Sequence, residues 1–430
     1  KKRIWGWWWF DWASQPYNTL LITFIFGPYV VSVVGDGTRA QAIWGYGIGA
    51  AGLLIAVLSP LLGAVADRSG ARMGFIWLFS ALYVIGSWAL WSAPDSFDVW
   101  FVMLMFCIGL IGMEFATTFT NAMLPDLAPR EDLGKVSGSG WAWGYAGGFV
   151  ALIVMLTLLA ENGSGTTLIG IAPILGLDPD MREGTRSVGP FTAIWYIVFM
   201  VPFFLWVREP RKPGAVGVAR AAREAWPELM STLRALPRTR SLFAFLGSSM
   251  FYRDALNGIY TFGGIYAAGV LAWSVIDVGV FGILATITGA VFAWLGGKAD
   301  SRFGPKPVIL FNILVLASVA TLIVFVGRDS VFGMPVGPES RLPDIAFYVL
   351  GALIGAGGGS LQAASRTMMV RQAAPDKMTE GFGLYALSGK AMSFLAPLSI
   401  GLATDLTGSQ QLGILPVVAL FLIGLILLVW

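Results

Sequence analysis

The chain contains no histidine, and only 12% of its 430 residues are charged, about half the share usual in soluble domains. The missing histidine excludes His-based acid–base catalysis, His proton relays and His-ligated metals. A single cysteine, Cys107, excludes an intrachain disulfide and a cysteine metal cluster. The net charge is only +3, with the basic residues spread along the chain, which argues against a nucleic-acid partner. Little charge beside 56% hydrophobic residues also excludes disorder. One soluble core could not bury that much apolar surface, because burial saturates as domains grow. Lys1-Lys2-Arg3 runs into aromatic residues rather than a short apolar stretch with a small-residue cleavage site, so no cleavable signal peptide is read. The first residue is not Met, and the chain reads as trimmed at its start.

What is present is apolar, glycine-rich and aromatic. Mean hydropathy is +0.73, with 54 glycines and 18 tryptophans. Glycine that lets helices pack closely and tryptophan at the lipid interface are both membrane features. An all-α polytopic membrane protein is therefore expected. Twelve apolar runs are long enough to span, at about 13–34, 41–66, 73–93, 98–123, 138–160, 190–207, 241–268, 273–296, 307–327, 344–369, 381–404 and 412–430. Strands are usually 4–8 residues, so runs of this length are not a buried sheet.

Loop charge orients the spans. With the N-terminus inside, the inside segments hold 20 of the 28 lysines and arginines, and the outside loops hold five: Arg39, Arg182, Arg186, Arg328 and Arg341. The remaining three, Arg253, Arg366 and Lys390, lie within spans. The positive-inside rule then puts both termini in the cytoplasm, in a bacterial inner membrane. The long inside segment 208–240 carries eight basic residues with Pro210 and Pro213. It divides the chain into six-helix bundles at 1–207 and 241–430. Residues 218–236 have the pattern of an amphipathic helix for the membrane surface, although the segment reads chiefly as a linker. The tryptophans at 5, 7, 8, 9 and 12 and Phe10 read as an interfacial anchor.

The two halves echo each other. Gly63-Ala-Val-Ala-Asp67-Arg68-Ser-Gly70-Ala-Arg72 follows span two, and Gly296-Gly-Lys-Ala-Asp300-Ser-Arg302 follows span eight. Ala128-Pro129 after span four is matched by Ala374-Pro375 after span ten. Repeats in the same orientation imply an axis normal to the membrane. The first loop resembles the signature of the major facilitator superfamily, in which it latches the two halves and controls gating. That resemblance implies a gating role for Gly63, Asp67, Arg68, Gly70 and Arg72, and for Asp300 and Arg302 in the second copy.

A narrower resemblance is to the vacuole-effluxer (UMF1, Atg22-like) transporters. It is carried by Phe10-Asp11-Trp12-Ala13, by Gly189-Pro190 with Trp195 through Pro202-Phe203, by Gln362-Ala-Ala-Ser365-Arg366 and by Phe382-Gly383-Leu384-Tyr385 through Gly389-Lys390. Where those transporters usually continue Asn-Ser-Ala-Tyr, this chain reads Ser14-Gln15-Pro16-Tyr17.

Charge at bilayer depth costs about 2.5–3.5 kcal/mol on insertion scales, so it marks function or a structural pair. In the resembled architecture spans one, four, seven and ten line the cavity. Span one carries Asp11, Gln15 and Asn18, and Asp11 lies near enough to the end to be a cap. Span four carries Glu114, Thr117, Thr118 and Asn121. Span seven carries Asp254, Asn257 and Thr261 on one stripe beside Arg253, and span ten carries Gln362 and Arg366. Arg366 is close enough to the cytoplasm to snorkel. Lys390, some ten residues into span eleven, is a partner for Asp254 or for a substrate carboxylate. Tyr17, Tyr252, Tyr260 and Tyr385 lie near these stripes and are candidates to shape a pocket, though aromatics at helical spacing are more often packing. The glycine run 355–359 lacks the Lys-Ser/Thr of a phosphate loop and reads as close helix packing.

The expected function is a secondary transporter working by alternating access. It moves a small solute, an amino acid or similar zwitterionic or anionic metabolite, in the export direction implied by the resemblance. Protons, or sodium, are the expected coupling ion, with membrane lipids as surroundings, no cofactor, no metal and a monomeric state. The alternatives are a drug or lipid-like exporter, a non-transporting sensor or scaffold and, last, a membrane enzyme, for which no catalytic motif speaks.

Overall fold

The computed structural model describes the backbone of residues 1–34, 37–94, 98–273 and 275–430, and most side chains outside parts of 28–45 and 265–279. The side chain of Arg39, counted above among the outside cations, lies outside the described residues. The described chain is helical apart from loops and a two-stranded hairpin of Ser330–Val331 and Met334–Pro335.

The helices fall into the twelve expected spans. Span one runs Lys2–Pro16, Tyr17–Phe24 and Phe26–Val34, and span two is Gly37–Ser69. Spans three to six are Arg72–Ala89, Val99–Asn121, Leu133–Val154 with a π-helical turn at Met155–Leu159, and Val188–Trp206. Spans seven to ten are Arg240–Val270, Val275–Phe303, Pro305–Val324 and Leu342–Gln372. Span eleven is broken into Met378–Ala391 and Leu395–Thr407, and span twelve is Leu415–Val429. Ten of these, among the described residues, are apolar and long enough to cross a membrane by composition alone. Spans one and seven fall outside the ten. In both, a polar stripe lowers hydropathy.

Span one starts earlier than expected and changes form within the membrane. Pro16 has no N–H to give to the ladder, and Tyr17–Phe24 continues as a π-helix, a local widening common at functional sites. Span eleven opens at 392–394 and restarts at Leu395.

The spans cluster into two compact units. The first holds Lys1–Leu127, Trp143–Trp226 and Asp376–Gly383; the second holds Ala128–Ala142, Pro227–Pro375 and Leu384–Trp430. Each unit thus contains a short tip from the opposite half of the sequence. The start of span eleven belongs with spans one to four, and the start of span five with spans seven to ten.

The first unit has an aromatic core. Tyr83 stacks on Tyr196 at 4.0 Å, and Phe79 on Phe115 at 4.8 Å. Lipid offers no hydrogen bonds, so buried hydroxyls find backbone acceptors: Tyr17 donates to Phe106 O (2.5 Å) and Tyr29 to Ala93 O (2.5 Å). The tryptophan cluster belongs largely to this core rather than to an interfacial belt. Trp7 is 1% exposed and donates to Thr120 O (2.8 Å), Trp9 stacks on Phe199 at 5.4 Å, and Trp12 stacks on Trp195 at 5.7 Å. Trp8, Trp9 and Trp12 are half-buried, and Trp5 is 46% exposed.

In the second unit the glycine run of span ten packs against span eight. A methyl on Gly359 would sit 2.5 Å from Gly289 O, and Gly355 and Gly351 abut Ala285 and Phe281 one and two turns earlier. At the end away from the basic loops, Arg328 donates to Asp344 (2.6 and 3.2 Å) and to Leu271 O (2.6 Å). This ion pair and hydrogen bond raise the Arg328 guanidinium above its ordinary value. In the first unit, the 161–189 loop is tied down by hydrogen bonds. Thr185 donates from Oγ1 to Glu161 (2.6 Å), and Arg186 donates to Trp91 O (2.9 Å).

Candidate functional site

The first of the repeated loops holds the tip of span eleven by its backbone. Asp67, one turn from the end of span two, is 8% exposed. Its Oδ1 accepts from the Thr379 N–H (3.0 Å) and its Oδ2 from the Glu380 N–H (2.8 Å). Both donors lie in the first turn of Met378–Ala391, where N–H groups lack intrahelical acceptors and the helix dipole is positive. A carboxylate from another span thus serves as the N-cap. The approach requires glycine: a methyl on Gly63 would sit 2.5 Å from Thr379 O. Gly70, with φ +63°, turns the chain out of span two and donates to Ala66 O (2.9 Å).

Arg68 and Arg72 face the linker. Glu209 accepts from the Arg72 N–H (3.1 Å), the Met73 N–H (2.9 Å) and Arg72 Nε (3.3 Å), capping the start of span three. Arg72 also donates to Ala122 O (2.9 Å). Lys212 bonds the Asp67 carbonyl, and Arg68 pairs with Glu224. Glu224 lies on the linker helix Val218–Ala235, close to the amphipathic stretch expected at 218–236. That helix buries Ala221 and Ala225 against Ala64 and Val65 of span two. Within the first unit it therefore docks on protein instead of presenting its whole apolar face to lipid. A hydrogen bond from Arg220 (2.8 Å), with the charge of Arg68, holds the Glu224 carboxyl below its ordinary range.

The second copy packs on the tip of span five without the carboxylate cap: among the described residues neither Asp300 oxygen has a hydrogen-bond partner. Asp300 is 1% exposed and lies against Gly134, where a methyl would come within 2.6 Å of its Cβ. The Lys135 N–H donates to Ser301 Oγ (2.9 Å). Arg302 is exposed, over the Phe303 ring.

The charges at membrane depth have specific neighbours in the second unit. Arg366 does not snorkel. It is 4% exposed and donates to Ser137 Oγ (3.0 Å) and Ser137 O (2.7 Å), joining span ten to the tip of span five. Arg253 donates to Tyr385 O (2.7 Å), lies over the Tyr385 ring at 3.8 Å and packs on Gly389. Only glycine leaves room for it there, and Lys390 follows directly. Asp254, 2% exposed, is held by a backbone N–H rather than by Lys390: its Oδ2 accepts from Ala396 (2.8 Å) at the restart of span eleven. Its Oδ1 has no hydrogen-bond partner among the described residues. Asn257, one turn on, is exposed, and Gln362 is half-buried. The Tyr252 hydroxyl bonds Ser365 Oγ (2.6 Å), which makes it part of the packing.

In the first unit Glu114, Asn121, Asp11 and Asn18 are all half-buried. Thr117 and Thr118 bond back to the Met113 and Glu114 carbonyls of their own helix (2.8 and 3.0 Å). Asp11 packs beside Gly144 of span five. Sequence reasoning missed Glu209, Lys212 and Glu224, which clasp the loop after span two, and Ser137, which receives Arg366. The charged pattern of 208–224 hinted at the first three; a lone serine carries no such signal.

Comparisons with known proteins fit this geometry. Residues 27–430 match the family described as vacuole effluxer Atg22 like. An uncharacterized MFS-type transporter, YxiO of Bacillus subtilis (strain 168), is 24% identical over 98% of this chain and 93% of its own. Autophagy-related protein 22-2 of Emericella nidulans is 26% identical over 69% of the chain, which spans 50% of that longer fungal protein. Among solved structures, the human organic anion transporter MFSD10 superposes with a TM-score of 0.71 at 15% identity, covering 99% of both chains. The major facilitator superfamily transporter FucP gives 0.71 at 14% identity, covering 99% of this chain and 97% of its own. The fold is the twelve-helix major facilitator fold, with two pseudo-symmetric six-helix bundles in an integral membrane protein.

Proposed function

Because the chain belongs to the vacuole effluxer Atg22-like family of MFS-type transporters, we propose that it moves a small solute bearing a carboxylate, an amino acid or similar metabolite, by proton-coupled alternating access. The observation that carries this reading is the broken span eleven. Each of its two helical segments starts on a carboxylate borrowed from another span, Asp67 at the basic end and Asp254 at depth. Caps supplied from elsewhere can be made and broken without unfolding the helix they cap, which alternating access requires.

Asp254 is the proton site in this account. One of its oxygens bonds a backbone N–H, and the other has no hydrogen-bond partner among the described residues. A turn further on, the same face meets Ala396, Ile400 and Val417, all apolar. Sodium needs several oxygen ligands, whereas a proton needs one, so these surroundings favour the proton. Arg253 and Lys390, adjoining across Gly389, receive the solute carboxylate, and Asn257, Gln362 and Tyr385 complete the polar surface. Glu114, Asn121, Asp11 and Asn18 supply the first unit's polar groups.

The halves 1–207 and 241–430 act as the two moving bodies, with 208–240 as the linker. The basic end faces the cytoplasm of a bacterial inner membrane, the protein works as a monomer, and the direction is export. The test is uptake and counterflow of labelled neutral amino acids in proteoliposomes, with and without a pH gradient. Uptake should follow the gradient, and that gradient-driven uptake should be impaired in Glu114→Gln and Asp254→Asn. Gradient-independent transport with both variants behaving as wild type would remove both residues as coupling groups.

A further inference from the structure

The second unit contains a cleft of about 270 Å³ at its basic end, outside the polar stripes described above. Arg240, Ser241 and Lys306 stand at its mouth, and Phe245, Met368 and Leu428 form its floor. Arg240 opens the helix of span seven, and Lys306 is the second residue of span nine. Both cations are exposed, while the three floor residues are buried. No acidic side chain lines the cleft. Two full positive charges therefore stand on one opening above an apolar base. The start of spans seven and nine and the end of spans ten and twelve all reach it, with Trp430 completing the lining, so the side-chain cations and not the helix dipoles set its charge.

We infer that this cleft binds a phosphate or phosphodiester anion, supplied by the headgroup of an anionic phospholipid. The charge arrangement selects an anion. Arg240 matches phosphate oxygens with a planar fork, Lys306 adds a point charge, and Ser241 offers a hydroxyl. The volume suits a glycerophosphate group. The apolar floor and the position at the ends of membrane spans favour a lipid over a free ion, since an acyl chain continues where the headgroup stops. Basic pockets between spans are the usual seats of such headgroups. The site is separate from the solute pathway and does not depend on the transport reading.

The test uses the full chain in nanodiscs of phosphatidylcholine, with or without phosphatidylglycerol, read by native mass spectrometry and thermal unfolding. Wild type should retain phosphatidylglycerol and unfold at higher temperature when it is present. The double variant Arg240→Gln/Lys306→Gln should bind it about thirtyfold more weakly, roughly fivefold for each lost contact. Each single variant should lose about fivefold, so the measurement stands even if the double variant folds poorly. Arg234→Gln/Arg238→Gln removes the same charge from neighbouring positions and should retain wild-type binding. Displacement of the bound lipid by inorganic phosphate or glycerol 1-phosphate would keep the anion site and assign it to a soluble source. Equal retention by wild type and the double variant, or equal loss in the control, would overturn the proposal.

Discussion

Replacing Asp67 with alanine isolates the cap that joins span two to the tip of span eleven. The Thr379 and Glu380 N–H groups lie in the first helical turn, where no intrahelical acceptor exists, so the Asp67 carboxylate is what protects them. A hydrogen bond to a charged acceptor contributes about 1.5–3 kcal/mol net. Losing an N-cap to alanine costs about 0.5–2 kcal/mol. The two figures overlap, because the bonds are the cap. For two such bonds, about 2–4 kcal/mol of docking free energy should vanish, which raises the undocked population roughly 30- to 1000-fold. Hydrogen–deuterium exchange over 379–384 reads this directly. Those amides should exchange at least about thirtyfold faster in Asp67→Ala, and Asp67→Asn should fall between the two because it keeps one acceptor without the charge. Amides at the start of span five should be unchanged. Wild-type exchange at 379–384 in Asp67→Ala would refute the capping argument.

Gly63→Val should expose the same tip by another route. Its side chain enters space taken by Thr379, an overpacking cost of about 1–3 kcal/mol, and wild-type protection at 379–384 would contradict the close approach. Arg366→Met should lower stability by about 1.5–3 kcal/mol by removing the charged hydrogen bonds to Ser137. Ser137→Ala removes only the Oγ acceptor, so in a thermal-unfolding double-mutant cycle the two losses should not fully add, and strict additivity would mean the Nε–Oγ contact carries nothing. The Glu224 clasp is sensitive to acid. Its carboxyl is held below the ordinary range, so its stabilising effect is full above the unfolded value and fades as pH falls through the lowered one. Protection factors within 218–226, corrected for the intrinsic pH dependence of amide exchange, should therefore hold steady from neutral pH to the ordinary carboxylate value and fall as pH drops below it. A loss of protection already between pH 6 and pH 7 would indicate a different titrating group.

Much of the architecture was legible from composition. Long apolar runs and the bias of basic residues mark spans and loops because lipid demands internally bonded helices and insertion favours basic residues on one side. The repeated Asp67 and Asp300 loops located the clasps, but not what they hold. Their partners, Thr379 and Gly134, are distant in the chain and chemically unremarkable, and only packing brings them near. Arg366 illustrates the same limit: its depth suggested snorkelling, whereas a serine on span five draws it inward. The opening of span eleven at 392–394 does have a signal in the sequence: Pro397 has no N–H for the Ser393 carbonyl and crowds it, although a count of apolar runs passes over it. The tryptophans misled for a related reason. Clustered indoles suit an interface by composition, yet their periodicity in span one also turns Trp7 and Phe10 toward neighbouring helices.

The central claim is that a carboxylate capping a break in span eleven couples proton movement to solute movement. The most direct measurement compares exchange with accumulation in Asp254→Asn proteoliposomes loaded with labelled neutral amino acids. Counterflow without a gradient requires only alternation of the loaded carrier, whereas accumulation against a concentration difference requires the proton. The account predicts that Asp254→Asn retains counterflow and loses accumulation driven by a pH gradient. Gradient-driven accumulation at the wild-type level in Asp254→Asn would contradict it.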